Sequence, residues 1–309
     1  MKPLVFAIED YEYLAKGICR ASGLAAGTVE RERFPDGERY VRITGAVAGR
    51  DAVVVGGTIH DAACLDLFDL ACGLVKEGCR SLTLLIPYFG YSTMERASKR
   101  GEVVTAKNRA RLLSAIPPAP LGNRVALLDL HSDGIAHYFE GGVVPAHLYA
   151  KPVILKAARA VGGKGFAMAC VDAGRAKWVE SLANDLGTTA SFVFKRRLDG
   201  RRTEVIAVSA DVRGKPVVIY DDMIRSGGSL LDAARSYRKA GASRIVAIAT
   251  HGVFAEGALA KLKASGLFER LVVTDSHPAA LKERDPFLTV VSTAGVFSAF
   301  LKGDYHETH

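Results

Sequence analysis

Residues 217–234, VVIYDDMIRSGGSLLDAA, constrain this chain more tightly than any other stretch. Val217, Val218, Ile219 and Tyr220 make an unbroken apolar run suited to a buried parallel strand. Asp221 and Asp222 follow, and then Ser226, Gly227, Gly228 and Ser229. From Leu230 onward, Leu230, Leu231, Ala234 and Tyr237 fall at helical spacing. The order predicts strand, tight turn and helix.

A turn of this kind is an anion cradle. Gly227 and Gly228 lack a Cβ, so the backbone can turn sharply and approach a ligand. The first N–H groups of the following helix have no internal partner, and the helix dipole adds partial positive charge there. Ser226 and Ser229 add hydroxyl donors, so a phosphate monoester fits. Asp221 and Asp222 would be repelled by that phosphate and must face another part of the ligand. Vicinal sugar hydroxyls, or a metal holding them, are natural partners. The competing reading is a plain strand–turn–helix with a polar cap. The coincidence of apolar run, paired acids and Ser-Gly-Gly-Ser favours the cradle.

Similar apolar runs recur at residues 53–55, 82–86, 125–128, 166–171 and 245–248, each followed by a helical pattern. Strands alternating with helices predict an α/β chain with parallel sheets flanked by helices. The two halves share this coarse pattern without a residue-level repeat, and the seam falls near Pro145 to Pro152. A length of 309 residues, 49% hydrophobic, suffices for two α/β domains or one large one. No apolar run reaches the length of a membrane span. The N-terminal stretch acquires acids too early for a secretory signal, so a cytoplasmic protein is expected. Five cysteines with no CxxC spacing predict thiols rather than a disulfide framework or zinc site. The net charge of +8 is compatible with nucleic acid, but the positive residues are scattered, and a protein that handles polyphosphates also needs such charge.

Further candidates lie at predicted strand ends, where open α/β sheets bind ligands. Residues 34–38, FPDGE, are a turn signal that alone reads as a hairpin tip or strand entry. Residues 84–113 read as a strand, a charged loop and a helix from about Val104. In that loop Tyr88, Phe89 and Tyr91 either stack on a base or cover the sheet end. Asp129-Leu130-His131 ends another strand, a pattern suited to a metal or phosphate, with His137 six residues on. Asp172 precedes a small-residue turn and reads as an N-cap, a ligand, or both. Lys195, Arg196, Arg197, Arg201 and Arg202 form the densest basic cluster, on a segment read as a strand entering a loop. It is either a solvated charged hairpin or a cationic loop that closes over a polyphosphate.

Taken in order, these motifs resemble those of the ribose-phosphate pyrophosphokinase, or phosphoribosyl pyrophosphate (PRPP) synthetase, family over nearly the whole chain. FPDGE at 34–38 resembles its adenine-side loop, and IPYFGY at 86–91 with TAK at 105–107 flank its ATP loop. DLH at 129–131 and DAGRAK at 172–177 resemble its metal and pyrophosphate segments, and KRR at 195–197 its catalytic flexible loop. DDMIRSGGS at 221–229 resembles its ribose-phosphate loop, ATHGVF follows at 249–254, and VVTDSHP at 272–278 resembles a segment that reads VVTNTIP in the family. GVFSAFL near the end resembles its last helix.

The resemblance implies two phosphoribosyltransferase-type domains, each a mainly parallel sheet flanked by helices, at 1–147 with 291–309 returning to it, and at 148–290. It places the active site between them and implies a homo-oligomer, dimer or hexamer, in which FPDGE reaches a neighbouring subunit. The implied substrates are ATP, or another nucleoside triphosphate, and ribose 5-phosphate, with Mg²⁺ as cofactor and neither nucleic acid nor membrane as partner. Lys195, Arg197 and His131 are then catalytic, and His131 and Asp172 hold Mg²⁺. Asp221, Asp222, Arg225, Ser226, Gly227, Gly228 and Ser229 bind ribose 5-phosphate. Phe34, Asp36, Glu38, Thr93, Met94, Glu95 and Arg96 bind the nucleotide.

The chain also departs from the pattern. Ser92, Thr93, Met94 and Glu95 replace the usual Ala-Arg-Gln-Asp, which is closer to the plant-type, class II branch, with its less strict donor choice. Arg225 stands where the family usually has aspartate. Asp275 and His277 replace residues in a region tied to the family's phosphate and ADP regulation. The rival readings are a phosphoribosyltransferase that consumes PRPP and a non-catalytic subunit that regulates a true synthetase.

Overall fold

Apolar runs without polar interruption become central parallel strands, as expected for segments covered on both faces. The protein, a computed structural model, is described over residues 2–197, 203–255 and 257–305, apart from the side chains of 173, 194–197 and 203–207. It forms two units. The first runs to Tyr149 and takes back the segment that begins at Thr293; the second spans Ala150–Ser292.

The first unit runs β1 (Leu4–Ala7), α1 (Glu12–Ser22), β2 (Ala25–Ala26), β3 (Val29–Arg33), β4 (Arg39–Ile43), β5 (Asp51–Val55), α2 (Asp61–Lys76), β6 (Ser81–Ile86), α3 (Thr105–Ser114), β7 (Asn123–Leu128) and β8 (Val144–Leu148). Six strands form a parallel sheet in the order β2-β1-β5-β6-β7-β8, while β3 and β4 pair antiparallel as a separate hairpin. The helices bury one stripe each. In α1 that stripe is Leu14, Ala15 and Ile18, and Gly23 ends the helix in the left-handed conformation that glycine adopts without strain.

The second unit runs α4 (Lys151–Gly162), β9 (Ala167–Cys170), α5 (Ala176–Leu186), β10 (Thr189–Ser191), β11 (Val193–Arg197), β12 (Thr203–Val208), β13 (Pro216–Ile224), α6 (Gly228–Lys239), β14 (Arg244–Gly252), α7 (Ala258–Ala264), β15 (Arg270–Thr274), α8 (Ala279–Lys282) and β16 (Leu288–Val291). Its parallel sheet has the order β10-β9-β13-β14-β15-β16. Val217, Ile219, Ile245, Ala247 and Leu271 from the strands and Leu230, Ala234 and Tyr237 from α6 share one core. A closing helix, α9 (Ala294–Lys302), packs on α1 of the first unit, where Ala294 lies so close that a Cβ at Gly17 would stand 3.2 Å from it.

Several expectations change in detail. Asp221 and Asp222 do not follow their strand but lie within it, because β13 continues to Ile224 alongside β14. The helix after the turn starts at Gly228, two residues earlier than the apolar spacing indicates. Lys195, Arg196 and Arg197 lie within β11, which pairs antiparallel with β12. The side chains of Lys195 and Arg197, and Arg201 and Arg202 entirely, lie outside the described residues. All five cysteines are free thiols. Among the described residues no helix is long and apolar enough to cross a membrane.

Candidate active site

The cradle of the second unit forms as a left-handed turn entering a helix. Gly227 has φ 72°, and a Cβ there would stand 2.9 Å from Leu262 Cδ2, so glycine is required for both backbone and space. Gly228 opens α6, and the nearest neighbour of a Cβ on it would be Ser226 Oγ at 3.8 Å, so the space in front of the helix is open. Arg225, Ser226 and Ser229 are exposed around it. The next crossover holds the loop from behind: the N–H groups of Val253 and Phe254 donate to Ile224 O at 3.1 and 2.9 Å, and that of Ala255 to Arg225 O at 2.9 Å. Phe254 makes these bonds with φ 41°, a conformation that costs a side-chain-bearing residue roughly 1–3 kcal/mol.

The two aspartates beside the cradle differ. Asp222 is buried and its Oδ2 accepts from Arg175 Nη2 at 2.7 Å. Asp221 is half-buried, and its Oδ1 accepts the N–H of Asp222 at 3.0 Å. Burial, then the adjoining Asp222 carboxylate, then Asp172, push the Asp221 carboxyl well above the usual carboxylate range. Burial, the largest single influence, works against the charge of Arg175, yet Asp222, Tyr220 and Asp221 together outweigh it and raise the guanidinium's pKa. Asp172 is exposed, and its Oδ1 accepts the Gly174 N–H at 2.9 Å, capping the turn Ala173–Arg175. The capping reading of Asp172 therefore holds, and its carboxylate is exposed.

Behind these strand ends lies a buried polar network with no simple sequence signal. Tyr220 Oη meets Thr250 Oγ1 at 3.0 Å. The Thr250 carbonyl accepts from Thr274 Oγ1 at 2.6 Å and Ser276 Oγ at 3.1 Å. With the Ser276 proton committed there, His251 Nδ1, 2.8 Å away, is the donor to Ser276 Oγ. The stretch 272–278 thus braces the strand that carries the paired acids.

In the first unit Phe34, Asp36 and Glu38 sit at the tip of the β3–β4 hairpin. The tip is closed by Phe34 N–H to Glu38 O at 2.8 Å and by Glu38 N–H to Asp36 Oδ1 at 3.0 Å. Phe34 is 45% exposed, although its ring meets Tyr40 edge-on at 6.2 Å. Arg39 ties the hairpin base to α2 through Asp66 and, at 3.2 Å, the Ala62 carbonyl.

Thr93 and Met94 lie in the turn Ser92–Met94, followed by Glu95 and an outward-facing Arg96 3.5 Å from the Glu95 carboxylate. Tyr91 enters this turn with φ 61°, held by its hydroxyl donating to Asp61 Oδ1 at 2.7 Å. Arg109 donates to the same oxygen at 2.6 Å and stacks 4.9 Å from the centre of the Tyr91 ring. Tyr88 and Phe89 are buried, Phe89 against Phe139, so they cover the sheet end and offer no face to a base.

His131 stands exposed beyond β7. The chain reaches it through Asp129, buried at φ 40° with its N–H on Leu148 O at 2.8 Å, and Leu130, whose N–H donates to His147 Nε2 at 2.9 Å. An N–H donor at Nε2 puts the imidazole proton on Nδ1, facing Asp133 Oδ1 at 3.4 Å. Tyr138, on the turn Asp133–Tyr138 after His131, donates to the Glu95 carbonyl at 2.5 Å and so joins the His131 segment to the 92–96 loop. Asp61, Arg109, Tyr138, His147 and Arg175 were not singled out from sequence, since their partners lie 17 to 48 residues away in the chain.

Among the described residues no three His, Cys, Asp or Glu side chains converge as a complete metal cage. The exposed carboxylate of Asp172 is nevertheless the kind of oxygen donor that Mg²⁺ prefers, and that ion is usually held by one or two carboxylates together with substrate phosphates. The donor set fits that mode.

Both units have the α/β architecture of a six-stranded parallel sheet flanked by helices, and the second carries a glycine turn beside paired acids toward the carboxyl end of β13. The N-terminal domain of ribose phosphate pyrophosphokinase matches residues 4–116, and the phosphoribosyl synthetase-associated domain matches residues 188–293. A ribose-phosphate pyrophosphokinase of Synechococcus elongatus is 34% identical over 297 residues, spanning 94% of this chain and 87% of the relative. One of Thermococcus kodakarensis is 35% identical over 268 residues, spanning 84% and 89%. The crystal structure of phosphoribosylpyrophosphate synthetase from Mycobacterium smegmatis superposes with a TM-score of 0.85 at 25% identity, covering 98% of both chains. The chain belongs to the ribose-phosphate pyrophosphokinase family.

Proposed function

We propose that the protein is a ribose-phosphate diphosphokinase. It transfers the β,γ-diphosphoryl group of Mg-ATP to the C1 hydroxyl of ribose 5-phosphate, giving PRPP and AMP. The observation that carries this reading is the open cradle at Gly227–Gly228 beside Asp221, in a chain that matches the family from end to end.

The residues divide the work. Ser226, Gly227, Gly228 and Ser229 bind the 5-phosphate through hydroxyls and helix N–H groups, and Arg225 adds a cation at the rim. Asp221 accepts from the ribose hydroxyls, with Asp222 held beside it. Phe34, Asp36 and Glu38 present an exposed tip for an adenine, and Thr93, Met94, Glu95 and Arg96 form the nucleotide loop. Asp172 and His131 are the proposed Mg²⁺ contacts of their respective units. Bound Mg²⁺ supplies charge neutralisation on the phosphates. Lys195 and Arg197 stabilise charge that develops on the transferring group and the departing oxygen, the largest task in a reaction governed by positioning and electrostatics.

The loop at 92–96 supports the class II branch and a donor range wider than ATP, and the exposed hairpin tip supports assembly of several copies as a dimer or hexamer. Incubation with ATP and ribose 5-phosphate should yield AMP and PRPP. Silence there, with pyrophosphate released from PRPP and a base, would establish the phosphoribosyltransferase instead. Profiling ATP, GTP, CTP and UTP tests the donor range, and light scattering on the purified protein tests the assembly.

A further inference from the structure

Asp172, Asp221 and Asp222 concentrate three carboxyl groups at one corner of the second unit. Such a cluster ordinarily demands cations from outside, and paired carboxylates in contact resist simultaneous ionisation. Here the chain provides its own cation. Arg175 leaves the short turn that Asp172 caps and reaches Asp222 Oδ2 at 2.7 Å. The side chains of Arg175 and Asp222 are only 22% and 6% exposed, so neither charge is well solvated and each depends on the other. The turn is anchored at both ends, by Asp172 on Gly174 N–H and by α5, which begins at Ala176. The backbone at Arg175 is thereby fixed, and the ion pair with Asp222 holds its guanidinium.

We propose that Arg175 is a built-in counter-cation of the sugar-phosphate site: by neutralising Asp222 from within the chain, it lets ribose 5-phosphate bind without a divalent ion. This rests on the reading of residues 221–229 as a ribose 5-phosphate site. Arg175 is a positioning residue in this role. It holds Asp222 turned inward and leaves Asp221, the half-buried member, for the sugar hydroxyls. Divalent metal is then required by the nucleotide and not by the sugar.

The test is calorimetric titration of the full chain with ribose 5-phosphate, without nucleotide, in EDTA and in excess magnesium. Wild type should bind in both media with affinities within about threefold, and R175A should lose at least about tenfold in EDTA and recover part of it in magnesium. R175K, which keeps the charge, should fall between them. R175Q, which keeps a polar side chain but removes the charge, should lose affinity in EDTA as R175A does, and supplies the reading should R175A fail to fold. Wild type that binds only in magnesium, or R175A that binds in EDTA as wild type does, would overturn the proposal. So would R175Q that binds in EDTA as wild type does. Absence of wild-type binding in both media is a distinct outcome: it removes the ribose 5-phosphate site itself and this inference with it.

Discussion

The two sheets share one topology, yet only one of their corresponding crevices is open. Each has the same order of six parallel strands, and each inserts an antiparallel hairpin before its third-placed strand, β3–β4 ahead of β5 and β11–β12 ahead of β13. Beyond β13 the glycine turn is backed by Leu262, 2.9 Å from a Cβ at Gly227, but open at Gly228, where a Cβ would meet nothing nearer than 3.8 Å. Beyond β5 the corresponding turn also has paired glycines, Gly56 and Gly57, but a Cβ on Gly57 would fall 2.3 Å from Tyr11 Oη, and one on Gly56 3.0 Å from Leu67 Cδ1. Thr58 fills the rest, its Oγ1 accepting the Gly90 N–H at 2.7 Å. A paired-glycine turn after a parallel strand is thus a permission for close approach. Whether a ligand or a side chain exploits it depends on distant residues.

That contrast can be attacked from the filled side first. Tyr11 is fully buried, so Tyr11→Ala should cost about 3–5 kcal/mol of stability, as large aromatic deletions do, read by denaturant unfolding. It should create no second ribose 5-phosphate site, because the first unit has no paired acids at that turn. Two sites by calorimetry would break the distinction. Next is the basic hairpin of the open side. Lys195→Ala should lower turnover by about 10²–10³ while ribose 5-phosphate affinity stays within error, as expected for a contact made in the transition state. An unchanged rate would remove the hairpin from the mechanism.

The glycines themselves give a smaller and sharper test. Gly227→Ala meets both a positive φ and Leu262, and should weaken ribose 5-phosphate binding by roughly ten- to a hundredfold. Gly57→Ala should instead lower the melting temperature and leave that affinity unchanged. If both variants lose only stability, the open crevice is not the sugar-phosphate site.

What was legible in the chain follows the range of the interactions. Apolar runs such as 217–220 and 245–248 announce buried strands because burial on both faces needs nothing but composition. The Ser-Gly-Gly-Ser turn was legible because the glycine requirement is local. The inward pairing of Asp222 with Arg175 was not, because it joins segments 47 residues apart and an acid pair looks the same whether it faces solvent or a guanidinium. Tyr88 and Phe89 illustrate the same limit: an aromatic beside a strand end can cover or stack, and only the position of Phe139 decides. Asp221 and Asp222 were placed beyond their strand because carboxylates are poor strand residues. Pairing with β14 overrides that preference.

The smallest effect concerns the entrance to the nucleotide loop, where the first unit does its own positioning. Tyr91 is held at φ 61° by Asp61 and Arg109, just ahead of Ser92–Met94. Tyr91→Phe removes the hydroxyl and keeps the ring under Arg109. It should raise the nucleotide KM about three- to tenfold, the scale of one ordinary hydrogen bond, with ribose 5-phosphate affinity unchanged. The Asp61 carboxyl is held below its usual range chiefly by the Tyr91 hydroxyl, against some desolvation and with help from Arg109. A depressed folded-state pKa contributes stability above the unfolded value and loses it as the pH falls through the folded one. The difference in melting temperature between wild type and Tyr91→Phe should therefore be present at neutral pH and shrink on the acid side of the ordinary carboxylate range. A difference that persists unchanged into acid would mean that the ring, and not the bond to Asp61, sets the loop.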